Sequence, residues 1–173
     1  MAYLTFDYAQ ERSGTFKKAL EKRALFEGRD YLVNKVFLSH RHKDIEQVKI
    51  AVGFLLDEGA DVYVDYLDNV LPNKTSSETA KILRNRVNAC SKFILLATPN
   101  SLDSKWIPWE LGLGDRKGTE NVAILPFLNS ETSWTEREYY SLYHYIERTN
   151  QGVWGVFPPQ GGNGVRLSNW LKQ

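Results

Sequence analysis

From Lys35 onward, short apolar runs alternate with segments whose apolar residues recur every three to four positions. KVFLSH (Lys35–His40) predicts a first strand, and Asp44 to Glu58 predicts a helix, with Ile45, Val48, Val52, Leu55 and Leu56 at helical spacing. Gly59 stops that helix, as glycine commonly does just past a C-terminus. DVYVDY (Asp61–Tyr66) reads as a second strand, LDNVLPNKTS as a loop, and Ser77 to Asn88 as a helix burying Ile82, Leu83 and Val87. KFILLAT (Lys92–Thr98) is the most uniformly apolar of these runs, as expected of a third strand covered on both faces. A helix over about Lys105–Asp115, a fourth strand NVAILPFL (Asn121–Leu128) and a helix over Thr135–Arg148 follow. GVWGVF (Gly152–Phe157) predicts a fifth strand and VRLSNWLK a closing helix.

Five strands separated by helices imply a parallel α/β sheet, because parallel strands need a crossover, and the crossover is right-handed. At this size the common arrangement is flavodoxin-like: a five-stranded parallel sheet in the order 2-1-3-4-5 with helices on both faces. Residues 1–34 have a different texture. Thr15 to Phe26 places Phe16, Leu20 and Ala24 on one stripe, with Lys17, Lys18, Glu21 and Lys22 elsewhere, which predicts an amphipathic helix docked on the domain or a partner. The expected division is an N-terminal helical extension over residues 1–34 and one α/β domain over 35–173.

Composition narrows the functional classes. The 173 residues carry 22 Lys+Arg against 21 Asp+Glu, a formal charge of +1, where a dedicated nucleic-acid binder would show a basic face. A single cysteine, Cys90, excludes an internal disulfide and a CxxC site, and is expected to be a small buried hydrophobe. No apolar run approaches the ~20 residues of a membrane span, and MAYLTFDYAQER is too polar for a signal peptide. The expectation is a cytoplasmic protein without nucleic-acid or membrane partners.

In a 2-1-3-4-5 sheet the winding reverses between strands one and three, and ligands bind beyond the carboxyl ends of the strands there. One flanking loop is Ser39, His40, Arg41, His42, Lys43 and Asp44; its hydroxyl, imidazoles and cations near a helix N-terminus suit a phosphate or pyrophosphate. The other is Pro99 to Ser104, leading into Trp106, Trp109 and Glu110. Ser104 is an expected N-cap, with Pro108 in the first turn. Trp106 and Glu110, four apart, share a helix face. An aromatic platform beside an anion suits a flat ring and a developing positive charge, although Glu110 also fits a carboxylate complementing the helix dipole, and both tryptophans also fit a core role.

KVFLSHRHKD, VYVDY with the proline-containing segment after it, and above all SLDSKWIPWELG resemble the TIR domain family, particularly its bacterial members, over residues 34–173 and less closely after Leu128. Many such domains cleave the nicotinamide–ribose bond of NAD+, releasing ADP-ribose or a cyclised product, and in bacteria they often serve antiphage defence, as in Thoeris systems. The resemblance implies that Glu110 is catalytic, with NAD+ as substrate and no separate cofactor. It places Trp106 ahead of the glutamate, Phe37, Ser39, His40 and Arg41 along the pocket, and Asp65 and Tyr66 where the second-strand loop begins. Arg41 or Lys43 would hold the pyrophosphate, Trp106 would stack on nicotinamide or adenine, Ser104 lies at the helix entry, and Asp103 or Asp65 would assist. It further implies self-association through the loop Leu67–Thr75, with a separate effector reading the product.

Other chemistries fit less well. No GxGxxG follows the first strand, and His40 and His42 lack the thiol or carboxylate partners of a zinc site. Asp65 at a strand end resembles a phospho-acceptor, but Arg41 to Lys43 stand where that role needs an acidic pair. The competing functions are a non-catalytic TIR interaction module and a nucleoside deoxyribosyltransferase-like enzyme.

Overall fold

The structure is a computed structural model and describes residues 2–24, 35–64, 76–128 and 138–173. Its spine is a mostly parallel sheet. After β1 (Leu4–Thr5), the strands are β2 (Lys35–Ser39), β3 (Asp61–Tyr63), β4 (Lys92–Ala97), β5 (Val122–Leu128), β6 (His144–Arg148), β7 (Trp154–Phe157) and β8 (Val165–Arg166). They are ordered β3-β2-β4-β5-β6-β7-β8, with β1 pairing beside β5. The run β3-β2-β4-β5-β6 is parallel throughout and has the anticipated 2-1-3-4-5 winding. Every residue of β4 and β5 is buried, Lys92 at the start of β4 included, as the apolar runs 93–97 and 122–128 require of strands covered on both sides.

The two faces divide the core. On one, α1 (Phe6–Glu11), α2 (Ser13–Ala24) and α3 (Ile45–Asp57) cover Val36, Leu38, Ile94, Leu96 and Leu125. On the other, α4 (Ser77–Ala89) and α5 (Ile107–Asp115) cover Phe37, Phe93, Leu95 and Ile124. The alternation Val36/Phe37/Leu38/Ser39 sends successive side chains to opposite faces. Phe37 and Ser39 therefore share the face occupied by α5. A one-turn helix, α6 (Leu167–Trp170), completes the first face through Leu167 and Trp170.

The N-terminal segment is integral to this core. Leu4 is fully buried and registers with Phe127, while Phe16 of α2 packs on α3 beside Phe54. Gly53 makes that approach possible, since a Cβ there would lie 2.8 Å from Phe16 Cβ. Arg12 and Asp57 add an exposed 3.0 Å ion pair. The anticipated stripe is present at Phe16; the side chains of Leu20 and Ala24 lie outside the described residues, as does the expected continuation of the helix to Phe26. The expected helix is present as α2, and β1 and α1 precede it as elements the sequence pattern does not predict.

Three expectations need correction. Thr135–Arg148 is not a helix: within its described part, Glu138–Leu142 is a short 3-10 turn and His144–Arg148 is β6. Tyr145 packs with the α5-side core and Ile146 with the opposite one, the period-two placement of a strand. In consequence the fifth parallel strand is β6, and the predicted fifth strand, β7, runs antiparallel to it. The closing helix is also shorter than expected, because Val165–Arg166 pairs with β7 before the single turn of α6 begins. Elsewhere boundaries differ by a few residues, and Gly59 ends α3 with φ +93, a conformation natural only to glycine. No helix among the described residues is long and apolar enough to cross a membrane.

Candidate active site

The carboxyl ends of β2 and β4 lie at the point where the winding of the sheet reverses, the position where α/β sheets bind ligands. Ser39 is the last residue of β2, and its Oγ donates a 2.6 Å hydrogen bond to Glu110 Oε2. The two residues are 71 positions apart, and both are buried, at 1% and 7% exposure. A contact this short is typical of a hydroxyl donating to an ionised carboxylate. Glu110 is the fourth residue of α5 and lies in its first turn, where the unsatisfied N–H groups and aligned peptide dipoles favour a negative charge.

Local sequence sets the position of α5. Ser104 Oγ accepts from the N–H groups of Trp106 and Ile107, both at 3.3 Å, and so supports the helix entry, but the N-cap position expected at Ser104 falls on Trp106, whose side chain makes no capping bond. Pro108 occupies the first turn, and the helix proper begins at Ile107, two residues later than anticipated. Trp106 is half-buried, joins Glu110 through a Glu110 N–H to Trp106 carbonyl bond of 2.9 Å, and meets Trp109 edge to face with centroids 5.2 Å apart. The guanidinium of Arg84 on α4 lies 5.6 Å from the Trp109 ring centre.

The loop after β2 forms the facing wall. His40 is buried and its Nδ1 donates to the Leu38 carbonyl at 3.2 Å, while its ring lies edge-on to that of His42 at 5.7 Å. Arg41 is half-buried; Lys43 is exposed on the turn closed by the Asp44 N–H to Arg41 carbonyl bond. Phe37 lies two residues below Ser39, fully buried and stacked between Tyr63 and Phe93, each 5.4 Å away, so it underpins the strand end rather than facing solvent. Asp103 is exposed on the opposite wall. Asp65, Tyr66 and the loop 67–75 lie outside the described residues.

The structure adds residues to which the sequence assigned no role. Asp44, at the entrance to α3, is completely buried, and its carboxylate does not cap its own helix. It accepts from Thr98 Oγ1 at 2.5 Å and from Asn100 Nδ2 at 2.6 Å, which joins the loop after β2 to the loop after β4. Thr98 Oγ1 in turn accepts from the Ser101 N–H, and Ser101 Oγ donates to the Thr98 carbonyl and lies 3.3 Å from the Tyr140 hydroxyl. An acidic residue at a helix start is visible in the sequence; partners 54 and 56 positions away are not. Cys90 is buried as expected, and burial pushes its thiol up to about 11. No group of three or more His, Cys, Asp or Glu side chains suited to a metal occurs among the described residues.

A doubly covered parallel sheet with a buried acid on the helix after its third core strand defines a class of protein, and sequence comparison gives that class its name: residues 36–153 match the TIR domain, and the chain belongs to that family. Within it, the chain is 35% identical over 158 residues to the "Probable 3' cyclic ADP-D-ribose synthase ThsB'" of Bacillus cereus (strain MSX-D12), an overlap covering 84% of this chain and 80% of that relative. It is also 26% identical over 149 residues to the "Putative cyclic ADP-D-ribose synthase TIR2" of Cytobacillus dafuensis, covering 75% of this chain but 39% of that protein.

Proposed function

We propose that this protein is an NAD+ glycohydrolase of the cyclising kind, with Glu110 as its catalytic residue. The observation that carries the proposal is the Ser39–Glu110 hydrogen bond, a buried carboxylate fixed at the switch point of a TIR domain. The 35% identity over most of both chains to a relative named as a cyclic ADP-D-ribose synthase supports the same reaction.

The chemistry follows from the substrate. The nicotinamide ring of NAD+ is cationic, so when the bond between its nitrogen and the ribose C1′ breaks, the electron pair neutralises the ring and no general acid is needed. Positive charge passes to the ribose, giving an oxocarbenium-like transition state of the kind met in glycoside hydrolysis. A preorganised carboxylate beside that sugar stabilises the developing charge, and a water-poor setting strengthens the effect. Ser39 holds one Glu110 oxygen in place and so fixes how the carboxylate is presented to the ribose. Capture of C1′ by a nucleophilic atom of the same ADP-ribosyl unit closes a ring; capture by water gives ADP-ribose. Where the nucleophile carries a proton, Glu110 accepts it.

Around this centre, Trp106 supplies the stacking face for nicotinamide or adenine, and Arg41 with Lys43 the charge for the pyrophosphate. His40 and Ser104 shape the two walls, and Phe37 supports the floor beneath Ser39. The reading also assigns substrate contacts to Asp65 and Tyr66, as the family resemblance implies. On this reading residues 35–173 form the catalytic domain and 1–34 an N-terminal extension. It also includes self-association through residues 67–75, a cytoplasmic location and a separate effector that responds to the product in antiphage defence.

The deciding experiment is mass spectrometry of purified protein incubated with NAD+. Free nicotinamide and a cyclic ADP-ribose isomer should appear in a time-dependent way, and Glu110→Gln should abolish both. Wild-type turnover in that variant refutes the assignment of Glu110. A wild-type protein that leaves NAD+ intact at every concentration tested, including conditions that promote self-association, favours a non-catalytic interaction module. Release of base from a deoxynucleoside instead of NAD+ identifies a deoxyribosyltransferase-like enzyme.

A further inference from the structure

We propose that Asp44 is a positioning residue for this reaction, a buried anionic staple that holds the two loops of the site in the register that Glu110 needs; the proposal rests on the NAD+-cleaving reading above. A carboxylate with no exposed surface is expensive to bury, and most are held by a cation. Asp44 is 0% exposed, and no cation among the described residues forms an ion pair with it. Its charge is instead met by the Thr98 hydroxyl, the Asn100 amide and the N-terminus of α3, a 13-residue helix whose dipole favours an anion there.

Those partners are unlike the ones a fold would need for stability alone. An apolar residue at the start of α3 would fill the same space without burying a charge. What the carboxylate provides is direction: it fixes Thr98, the last residue before the 3-10 turn Pro99–Asp103, and Asn100 within that turn. The turn ends at Ser104, which accepts from the N–H groups at the entry to α5, and α5 carries Glu110 to Ser39. On the other side, Asp44 belongs to the loop after β2, and its backbone N–H, which a substitution would keep, closes the turn that holds Arg41 and Lys43. One side chain thus ties the wall carrying the candidate phosphate-binding cations to the wall that launches the catalytic acid. Thr98 Oγ1 donates to Asp44 and accepts from the Ser101 N–H, so the tie extends to the backbone of the turn. Displacement of a catalytic group by about 1 Å is enough to lower turnover by roughly a hundredfold.

Two measurements on the intact protein test the staple. In Asp44→Ala, amide hydrogen exchange over residues 98–106 should accelerate, and kcat should fall about tenfold with KM held within about threefold, the pattern of lost transition-state geometry rather than lost binding. Asp44→Asn should restore most of both, because its carbonyl can accept from Asn100 while its amide donates to Thr98 Oγ1. Should Asp44→Ala fail to fold, Asn100→Ala serves in its place: Asn100 is exposed, and its loss cuts one arm only. Faster exchange over 98–106 and a kcat reduced about threefold are then expected. Unchanged exchange, or faster exchange with kcat within about twofold of wild type, overturns the proposal. If the wild-type protein releases no nicotinamide, the proposed function fails by itself, while the exchange comparison still shows whether Asp44 holds the two loops together.

Discussion

Ser39 Oγ lies 2.6 Å from Glu110 Oε2, so the end of the second strand and the first turn of the fifth helix meet in one hydrogen bond. Neither residue could hold the other in place by local structure alone. The serine is fixed by sheet register, Ser39 opposite Leu95, and the glutamate by the Ser104 hydrogen bonds at the entry to α5. If the bond orients the carboxylate for transition-state stabilisation, Ser39→Ala should lower kcat about ten- to a hundredfold, the usual range for losing one preorganised donor. KM should change little. Steady-state nicotinamide release measured alongside the unfolding temperature checks this, and an equal loss of kcat and of folded protein would mean that the serine serves the fold instead.

Trp106 offers a second test, because its two roles predict different numbers. Its edge-to-face contact with Trp109 is worth about 0.5–1.5 kcal/mol. Losing that contact would lower the unfolding temperature of a domain this size by only a few degrees. A stacking platform for a substrate ring acts on binding instead, where a similar energy of about 1.4 kcal/mol is a tenfold change in affinity. Trp106→Ala should therefore raise KM for NAD+ about tenfold, and Trp106→Phe should recover much of it. A large fall in unfolding temperature with normal KM per folded molecule would assign the indole to the core.

Much of this site is legible in the amino-acid sequence. The apolar runs at 36–38, 93–97 and 122–128 are strands covered on both faces, and such runs announce themselves. The winding they imply predicts where the site lies, and Ser104 is recognisable by residue type as an acceptor for the N–H groups at the entry to α5. The features that are not legible depend on distant partners or on short elements. Leu4–Thr5 is a strand because β5 offers a partner at Phe127 and Leu128, and two residues show no period. Thr135–Arg148 reads as a helix even though its tyrosines weaken that reading, and β6 there is decided by pairing with Ala123 and Ile124. Asp44 looks like an ordinary helix-start acid, and only the folded chain shows Thr98 and Asn100 converging on it.

The thiol of Cys90 makes a pH prediction with a definite sign. Burial raises it from 9.0 to about 11, so the folded protein holds its proton more tightly than the unfolded chain does. This contribution to stability is complete below pH 9.0 and is lost as pH rises from there through about 11, because the unfolded thiol ionises first. Cys90→Ala should flatten the alkaline fall in urea stability over that range, and an aromatic disulfide reagent should react with wild type only as it unfolds. Rapid labelling of the native protein near pH 8 would show a thiol far more accessible than its 3% exposure implies.

Two buried glycines separate support of the site from support of the fold. A Cβ on Gly114 would lie 2.6 Å from Phe93 Cγ, and one on Gly53 would lie 2.8 Å from Phe16 Cβ. Each alanine substitution overpacks a helix against its neighbour, and overpacking costs typically about 1–3 kcal/mol. The two clashes therefore predict similar losses in unfolding free energy. Their effects on turnover should differ, because the helices they displace do different things. Gly114 sits one turn after Glu110 on α5, and Phe93 stacks on Phe37 below Ser39, so pushing α5 outward lengthens the Ser39–Glu110 contact. Gly53 lies on α3 across the sheet, where the displaced partner is the N-terminal helix α2. Gly114→Ala should lower kcat per folded molecule about tenfold or more, and Gly53→Ala should leave it within about twofold. Denaturant unfolding paired with nicotinamide-release kinetics on both variants measures the contrast, and equal kinetic losses would mean that the N-terminal extension is mechanically coupled to the catalytic site.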